Sequence, residues 1–187
     1  MYQSEYARVF LRNAGSQHIL PLSDYIDHNL IIKNIDMPSK RINQVLYNPI
    51  KGLEITTHLI RLFPQIKWIP IIKLKSEEVS KLLASSKVYV DFGSHPGKDR
   101  IPREAVLNGC CIIVNKQGAA ANSLDMDIPA EFKIEDPIKE QNQIVSLINK
   151  CFNFYDDQYS KFGNYLSKII SEEEDFEKEI KELIKHI

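Results

Sequence analysis

Three patterns of hydrophobic and polar positions follow one another along this chain. Residues 2–14 (YQSEYARVFLRNA) place Tyr6, Val9, Phe10 and Asn13 at helical spacing, which predicts a short amphipathic helix stopped by Gly15. Residues 18–37 carry two apolar pieces, HILPL and NLIIK, around the polar SDYID, and no period assigns them. From residue 42 the pattern becomes regular. Ile42–Tyr47 reads as a strand ended by Asn48-Pro49, and Gly52–Phe63 as a helix with Leu53, Thr57 and Ile60 on one face. Lys67–Lys73 is a second strand weakened by Pro70. Ser76 is placed to cap a helix, with Glu78 near its first turn and Val79, Leu82 and Leu83 facing inward.

The alternation continues. Val88–Phe92 is a third strand, ended by Gly93, and the polar loop SHPGKDR leads into the short helix IPREAVLN. There Pro102 suits the first turn and Gly109 the stop. Cys110–Asn115 is almost wholly apolar, as a strand buried on both faces should be. Glu131–Ile134 is a short fifth strand. Strands alternating with helices imply right-handed crossovers and a parallel sheet, hence a doubly wound α/β domain over residues 39–155. Residues 1–38 form a helical N-terminal extension.

The last third returns to helical period. Residues 137–155 carry Ile138, Ile144, Val145, Ile148 and Phe152. Residues 156–187 form a C-terminal helix whose stripe includes Ile169, Phe176, Ile180, Leu183 and Ile187. Packing on the domain accounts for such a stripe, and a coiled-coil partner surface is the alternative. The acidic run Glu172–Asp175 reads as a solvated face.

Composition narrows the function classes. The 187 residues hold 24 Lys+Arg and 25 Asp+Glu, for a net charge of −1, so the basic surplus of a nucleic-acid binder is absent. The longest apolar run, Cys110–Val114, is far short of the roughly 18 residues of a transmembrane segment. No signal peptide follows Met1. Cys110, Cys111 and Cys151 lack metal-ligand spacing and suit buried thiols in a reducing cytoplasm. Neither a Walker loop nor GxGxxG nor GxSxG is present, and no cofactor or metal site is expected. Of seven glycines, five (Gly52, Gly93, Gly97, Gly109 and Gly118) fall between residues 52 and 118, mostly at the edge of an apolar segment.

Ligands of open parallel sheets bind beyond the carboxyl ends of the strands. The loops expected there are 47–52, 73–75, 93–100 and 115–122. With the helix start at 101–104 they offer Lys51, Lys73, Lys98, Arg100, Arg103 and Lys116. Phosphate binding needs positive charge and backbone N–H groups at helix starts or glycine turns, and Lys51-Gly52 supplies both. Gly118, before three alanines, allows close backbone approach to a ligand; each lysine alone reads equally as solvated. Glu104, expected in the first turn of its helix, complements the helix dipole or accepts hydroxyl hydrogen bonds from a sugar or ribose. His95 is a candidate donor or base, against the plainer role of a hydrogen-bonded structural residue.

KGLE (51–54), IPREAVLNGCCIIV (101–114) and the Gly-Ala turn at 118–121 resemble the donor-binding half of type-B glycosyltransferases of the group 1 kind. SEYARVFL and LSDYI resemble the tail of an acceptor-side domain. The resemblance covers about half of the chain. It implies a Rossmann-like fold and transfer of sugar from a nucleotide-diphosphate donor to a glycan or lipid-linked acceptor, as in polysaccharide biosynthesis. The acceptor domain would be largely missing. It implies Lys51 on the donor diphosphate, Glu104 on the donor ribose and backbone near Ile72 on the nucleobase. Around these, Asn48, Gly52, Gly97, Lys98, Arg100, Arg103 and Gly118 complete the expected donor site, with Glu104 and His95 as the catalytic candidates. Two positions depart from the family pattern: Leu46-Tyr47-Asn48 where an Arg often stands, and Pro96 where a first Glu often stands. His95, Lys98 and Arg100 are the substitutes the segment offers. A non-catalytic sugar-nucleotide-binding or assembly module is the alternative.

Overall fold

The computed structural model describes residues 1–27 and 40–185. NLIIK, the boundary at residues 38/39 and Ile187 lie outside the described residues. The described chain runs α1 (Glu5–Asn13), β1 (Ile42–Tyr47), α2 (Leu53–Leu62), β2 (Trp68–Pro70), α3 (Ser76–Ser85), β3 (Ser86–Asp91), α4 (Arg100–Leu107), β4 (Cys111–Asn115), β5 (Lys133–Ile134), α5 (Gln141–Asn153), α6 (Tyr155–Ser160) and α7 (Gly163–Ile184). Two short 3-10 turns, Gly118–Ala121 and Ala130–Phe132, lie between β4 and β5.

The five strands form one sheet in the order β2-β1-β3-β4-β5. Every pairing is parallel, as in Val45↔Val88 and Val88↔Cys111. Helices flank it, and the architecture is the expected Rossmann-like α/β fold. β4 is buried at every position, which explains its unbroken apolar sequence. β1 leads to β2 on one side of the sheet and, through α3, to β3 on the other. The strand order therefore reverses between β1 and β3, where such sheets open a crevice at their carboxyl edge.

Several local expectations are corrected. The second strand keeps only three residues, because Pro70 has no N–H to pair and Lys73 turns to φ 53. It lies at the sheet edge, where a proline is tolerated. α2 buries Thr56 and Leu59, while Leu53 at its first turn is exposed. Thr56 is accommodated because its hydroxyl donates to the Gly52 carbonyl at 3.1 Å. Lys75, not Ser76, is the residue before α3, and its N–H donates to Glu78 at 2.7 Å.

The C-terminal helix is two helices, broken at Lys161 and Phe162. There the buried Phe162 ring meets Phe132 edge-on with centroids 4.7 Å apart. The stripe of α7 is Tyr165, Ile169 and Glu172, with Phe176 against Tyr25. Glu172 is buried, so the acidic run is not uniformly solvated. α1 forms as expected, but none of its residues is buried, and Tyr6, Val9 and Phe10 face solvent. Its start is held by the Asp125 carboxylate, which accepts from the Glu5 and Tyr6 N–H groups at 2.6 and 2.8 Å.

Candidate functional site

The β1 loop is shaped by Asn48. Its side chain accepts from the Ile50 N–H at 3.0 Å and its carbonyl from the Lys51 N–H at 3.3 Å. That turn delivers Lys51 and Gly52 to the start of α2. Gly52 has φ 61, and a Cβ there would meet the Phe92 carbonyl carbon and oxygen at 2.5 Å. Only glycine lets the β1 and β3 loops lie this close. No side chain caps α2, so its first N–H groups keep their positive end of the helix dipole open beside Lys51.

The β3 loop answers with Asp99. Its carboxylate pairs with the Lys51 ammonium through one oxygen and with His95 Nδ1 at 2.7 Å through the other. His95 Nε2 lies 3.3 Å from the Asp91 carbonyl oxygen. The ring is fully buried, and its backbone has φ 43. Burial alone raises the Asp99 pKa. Hydrogen bonds from His95 and Lys51, with the Lys51 charge, outweigh it and hold the carboxyl below its ordinary value. His95 therefore buttresses Asp99 rather than facing a substrate. Gly118 has φ 55 and would place a Cβ 2.0 Å from the His95 carbonyl oxygen, which the Ala119 N–H also reaches at 2.8 Å. The close approach expected to serve a ligand serves this loop instead.

Three expected ligand residues sit in a second cluster, formed by Arg103 of α4 and by Gly97 and Lys98 of the loop before it. Arg103 donates to Glu172 at 2.7 Å, to Asp24 at 2.9 Å and to the Lys98 carbonyl at 3.1 Å. Its Nε reaches the Asp99 carbonyl at 3.4 Å. Burial lowers the Arg103 pKa, and the two carboxylates more than compensate. Lys98 lies 3.5 Å from Glu172, and a Cβ on Gly97 would meet the Gln3 side chain at 2.9 Å. Gly97, Lys98 and Arg103 thus fasten the N-terminal segment and α7 to the β3 loop.

Glu104 is the fifth residue of α4, because the helix begins at Arg100; the dipole explanation for it falls away. Its Oε1 accepts from Arg100 Nε at 2.6 Å, while Oε2 takes no hydrogen bond from another described residue. Arg100 is 68% exposed. Ile72 is exposed beyond β2. It shares a cavity of about 540 Å³ with Ile69, Pro70 and Leu74 at the sheet edge.

Asp91, His95 and Asp99 present ligand-type atoms within 4.8 Å of one another. Hydrogen-bond donors already face those oxygens: Tyr89 hydroxyl and Gly93 N–H on Asp91, and Lys51 and His95 on Asp99. The ammonium in particular sits where a metal cation would be repelled. A cavity of about 740 Å³ at the opposite end of the sheet holds Arg41 and Lys87. These donate to the carbonyls of Leu83, Ser86, Asn108 and Phe152, which end helices, so their charge is already compensated.

Asp99 and Glu172 were not singled out as site residues by sequence. Asp99 is 48 residues from Lys51, and nothing local announces the pair. Glu172 did leave a signal, since it falls on the helical stripe of Phe162, Tyr165 and Ile169. A carboxylate on an apolar stripe implies a buried partner.

No protein-family model matches the chain, and no curated protein matches it. Among solved structures, it is similar to a point mutant of S. aureus TarM, crystallised in complex with fondaparinux, alpha-GlcNAc-glycerol and UDP, with a TM-score of 0.65 at 12% identity. The likeness covers 98% of this chain and 42% of the other, so the chain spans less than half of its neighbour's length. It shows the fold. Among the described residues, no helix is long and apolar enough to cross a membrane.

Proposed function

We propose that this chain carries the donor site of a glycosyltransferase, which binds a nucleotide-diphosphate sugar at the carboxyl edge of β1 and β3. The observation that carries the reading is the uncapped start of α2 beside Lys51, at the point where the strand order reverses. The neighbour's ligands lend support. UDP together with a GlcNAc glycoside is the pair of products that sugar transfer from a nucleotide donor leaves.

In this reading the diphosphate lies on the α2 N–H groups and the Lys51 ammonium, with the exposed Arg100 as a second cation. Glu104 Oε2 accepts from the ribose hydroxyls. The cations stabilise charge that develops on the departing diphosphate, which is electrostatic catalysis. His95 contributes by holding Asp99 and does not touch the sugar. The acceptor in this reading is a glycan or lipid-linked sugar. Calorimetric titration with UDP, GDP and ADP tests the reading. Saturable binding of one of them, lost in Lys51→Ala and weakened in Glu104→Ala, is expected; no binding, or binding indifferent to both substitutions, sinks it.

A second reading, a non-catalytic sugar-nucleotide-binding or assembly module, is favoured by the exposed apolar face of α1. Donor binding with no turnover after an acceptor lobe is added in trans would decide for it.

A further inference from the structure

We propose that Asp99 is a specificity residue of this same site. Its carboxylate holds Lys51 until a diphosphate engages the ammonium, and its charge then disfavours the free nucleoside diphosphate relative to the less charged sugar ester. The inference rests on the donor-site reading above.

Two contacts besides Lys51 keep Asp99 in place when the ammonium turns away. His95 Nδ1 holds one carboxylate oxygen at 2.7 Å and Lys51 the other. Arg103 Nε grips the Asp99 carbonyl at 3.4 Å, and Arg103 is itself anchored by Glu172 and Asp24. His95 is in turn held from behind by the 117–120 turn through the Ala119 N–H. The Asp99 side chain is only 14% exposed, so little water screens it. Lys51 differs. Its side chain is 32% exposed, and an ammonium has three donors, so it can turn to a phosphate oxygen while Asp99 stays in place.

The formal charges of Lys51, Asp99, Arg100 and Glu104 cancel. These four side chains therefore add no net formal charge to the positive end of α2. A sugar ester of a nucleoside diphosphate carries two negative charges. The free diphosphate gains about one more above its second ionisation, near pH 6 for a phosphate monoester. A fixed carboxylate next to the ammonium penalises that third charge most. After transfer, the same carboxylate opposes retention of the nucleoside diphosphate product.

The test compares matched probes at pH 8 and low salt: UDP with UDP-glucose, GDP with GDP-mannose, ADP with ADP-glucose, and inorganic pyrophosphate. Each is titrated by calorimetry into the wild-type chain, Asp99→Asn, Asp99→Glu and Lys51→Ala, with circular dichroism as the folding check. We expect Asp99→Asn to bind both members of the recognised pair more tightly and the free diphosphate most. The ratio of the two affinities should shift on the order of tenfold toward the free diphosphate, and the shift should shrink with added salt. Asp99→Glu keeps the charge and should keep the wild-type ratio. If Asp99→Asn does not fold, Asp99→Ser is held to the same expectation.

An unchanged ratio, or weaker binding of the free diphosphate by the neutral variant, overturns the proposal. Where the wild type binds through Lys51 and only this ratio fails, Asp99 loses its role and the donor site stands. Where no probe binds, or Lys51→Ala binds as well as wild type, both readings fall together.

Discussion

Two charged clusters meet at α4, and they treat charge in opposite ways. Arg103 is 1% exposed and shares its guanidinium among Glu172, Asp24 and two backbone carbonyls. Its two carboxylate contacts join segments 69 and 79 residues away, while the two carbonyls belong to the loop just before it. Lys51 has one carboxylate partner, remains a third exposed, and stands beside an uncapped helix. A cation surrounded by its own protein holds a fold together, whereas one with a single partner next to open N–H groups can exchange that partner for a ligand. Both lie within or beside loops that sequence inspection marks as a single basic edge. The difference is set by what the rest of the chain brings to each.

The comparison breaks most readily at Arg103. Arg103→Ala should lower stability by about 3–5 kcal/mol, because it leaves the buried Glu172 carboxylate without its main partner. Arg103→Lys should recover only part, since an ammonium cannot span two carboxylates and two carbonyls at once. Urea unfolding measures both, and a loss under roughly 1 kcal/mol for the alanine variant would put the cluster among ordinary surface pairs.

Gly118→Ala comes next. It forces a Cβ toward the His95 carbonyl in a backbone conformation suited to glycine, and should cost roughly 1–3 kcal/mol. The loss should appear as a lower midpoint with an unchanged urea slope. Lys51→Ala should shift stability by about 1 kcal/mol or less, yet weaken diphosphate binding at least about tenfold, or about 1.4 kcal/mol. A large stability loss with unchanged binding would move Lys51 into the structural cluster.

The smallest effect concerns acid. The folded pKa of Asp99 lies below its ordinary value of 3.8. Between the two values the unfolded chain binds the extra proton, so stability falls as the pH falls. The Asp99 contribution is full above about pH 3.8 and is lost as the pH drops through the lower, folded value. Asp99→Asn should therefore flatten the acid limb of stability below about pH 4 while leaving the neutral range parallel to wild type. An acid limb that keeps its wild-type slope would show that Asp99 is not held as its contacts indicate.

Local pattern carried most of the fold. Ile42–Tyr47 matches its strand residue for residue, and the apolar run before Asn115 is β4 with Cys110 just outside it. Gly109 stops α4 with φ 85 as its position suggests. What pattern could not show is which faces meet. The helix break at Phe162 comes from a ring that fills a space beside Phe132, 30 residues earlier. The site divides in the same manner. The place of Lys51 and Gly52 at a helix start is legible because helix-start chemistry is local. The pairing of Arg103 and Lys98 with Glu172 is not legible, because Glu172 lies on a helix about 70 residues away. The glycines were located correctly but for another reason: at Gly52 and Gly118 the backbone that approaches is the protein's own.

The most direct measurement is a crystal structure of the chain with the nucleoside diphosphate that binds it most tightly. The account predicts the diphosphate at the start of α2, accepting from its first N–H groups and from Lys51 Nζ, with the ribose at Glu104. A diphosphate seated instead among Arg41 and Lys87 at the far end of the sheet, or at the β1 edge with Lys51 still turned wholly to Asp99, would contradict it.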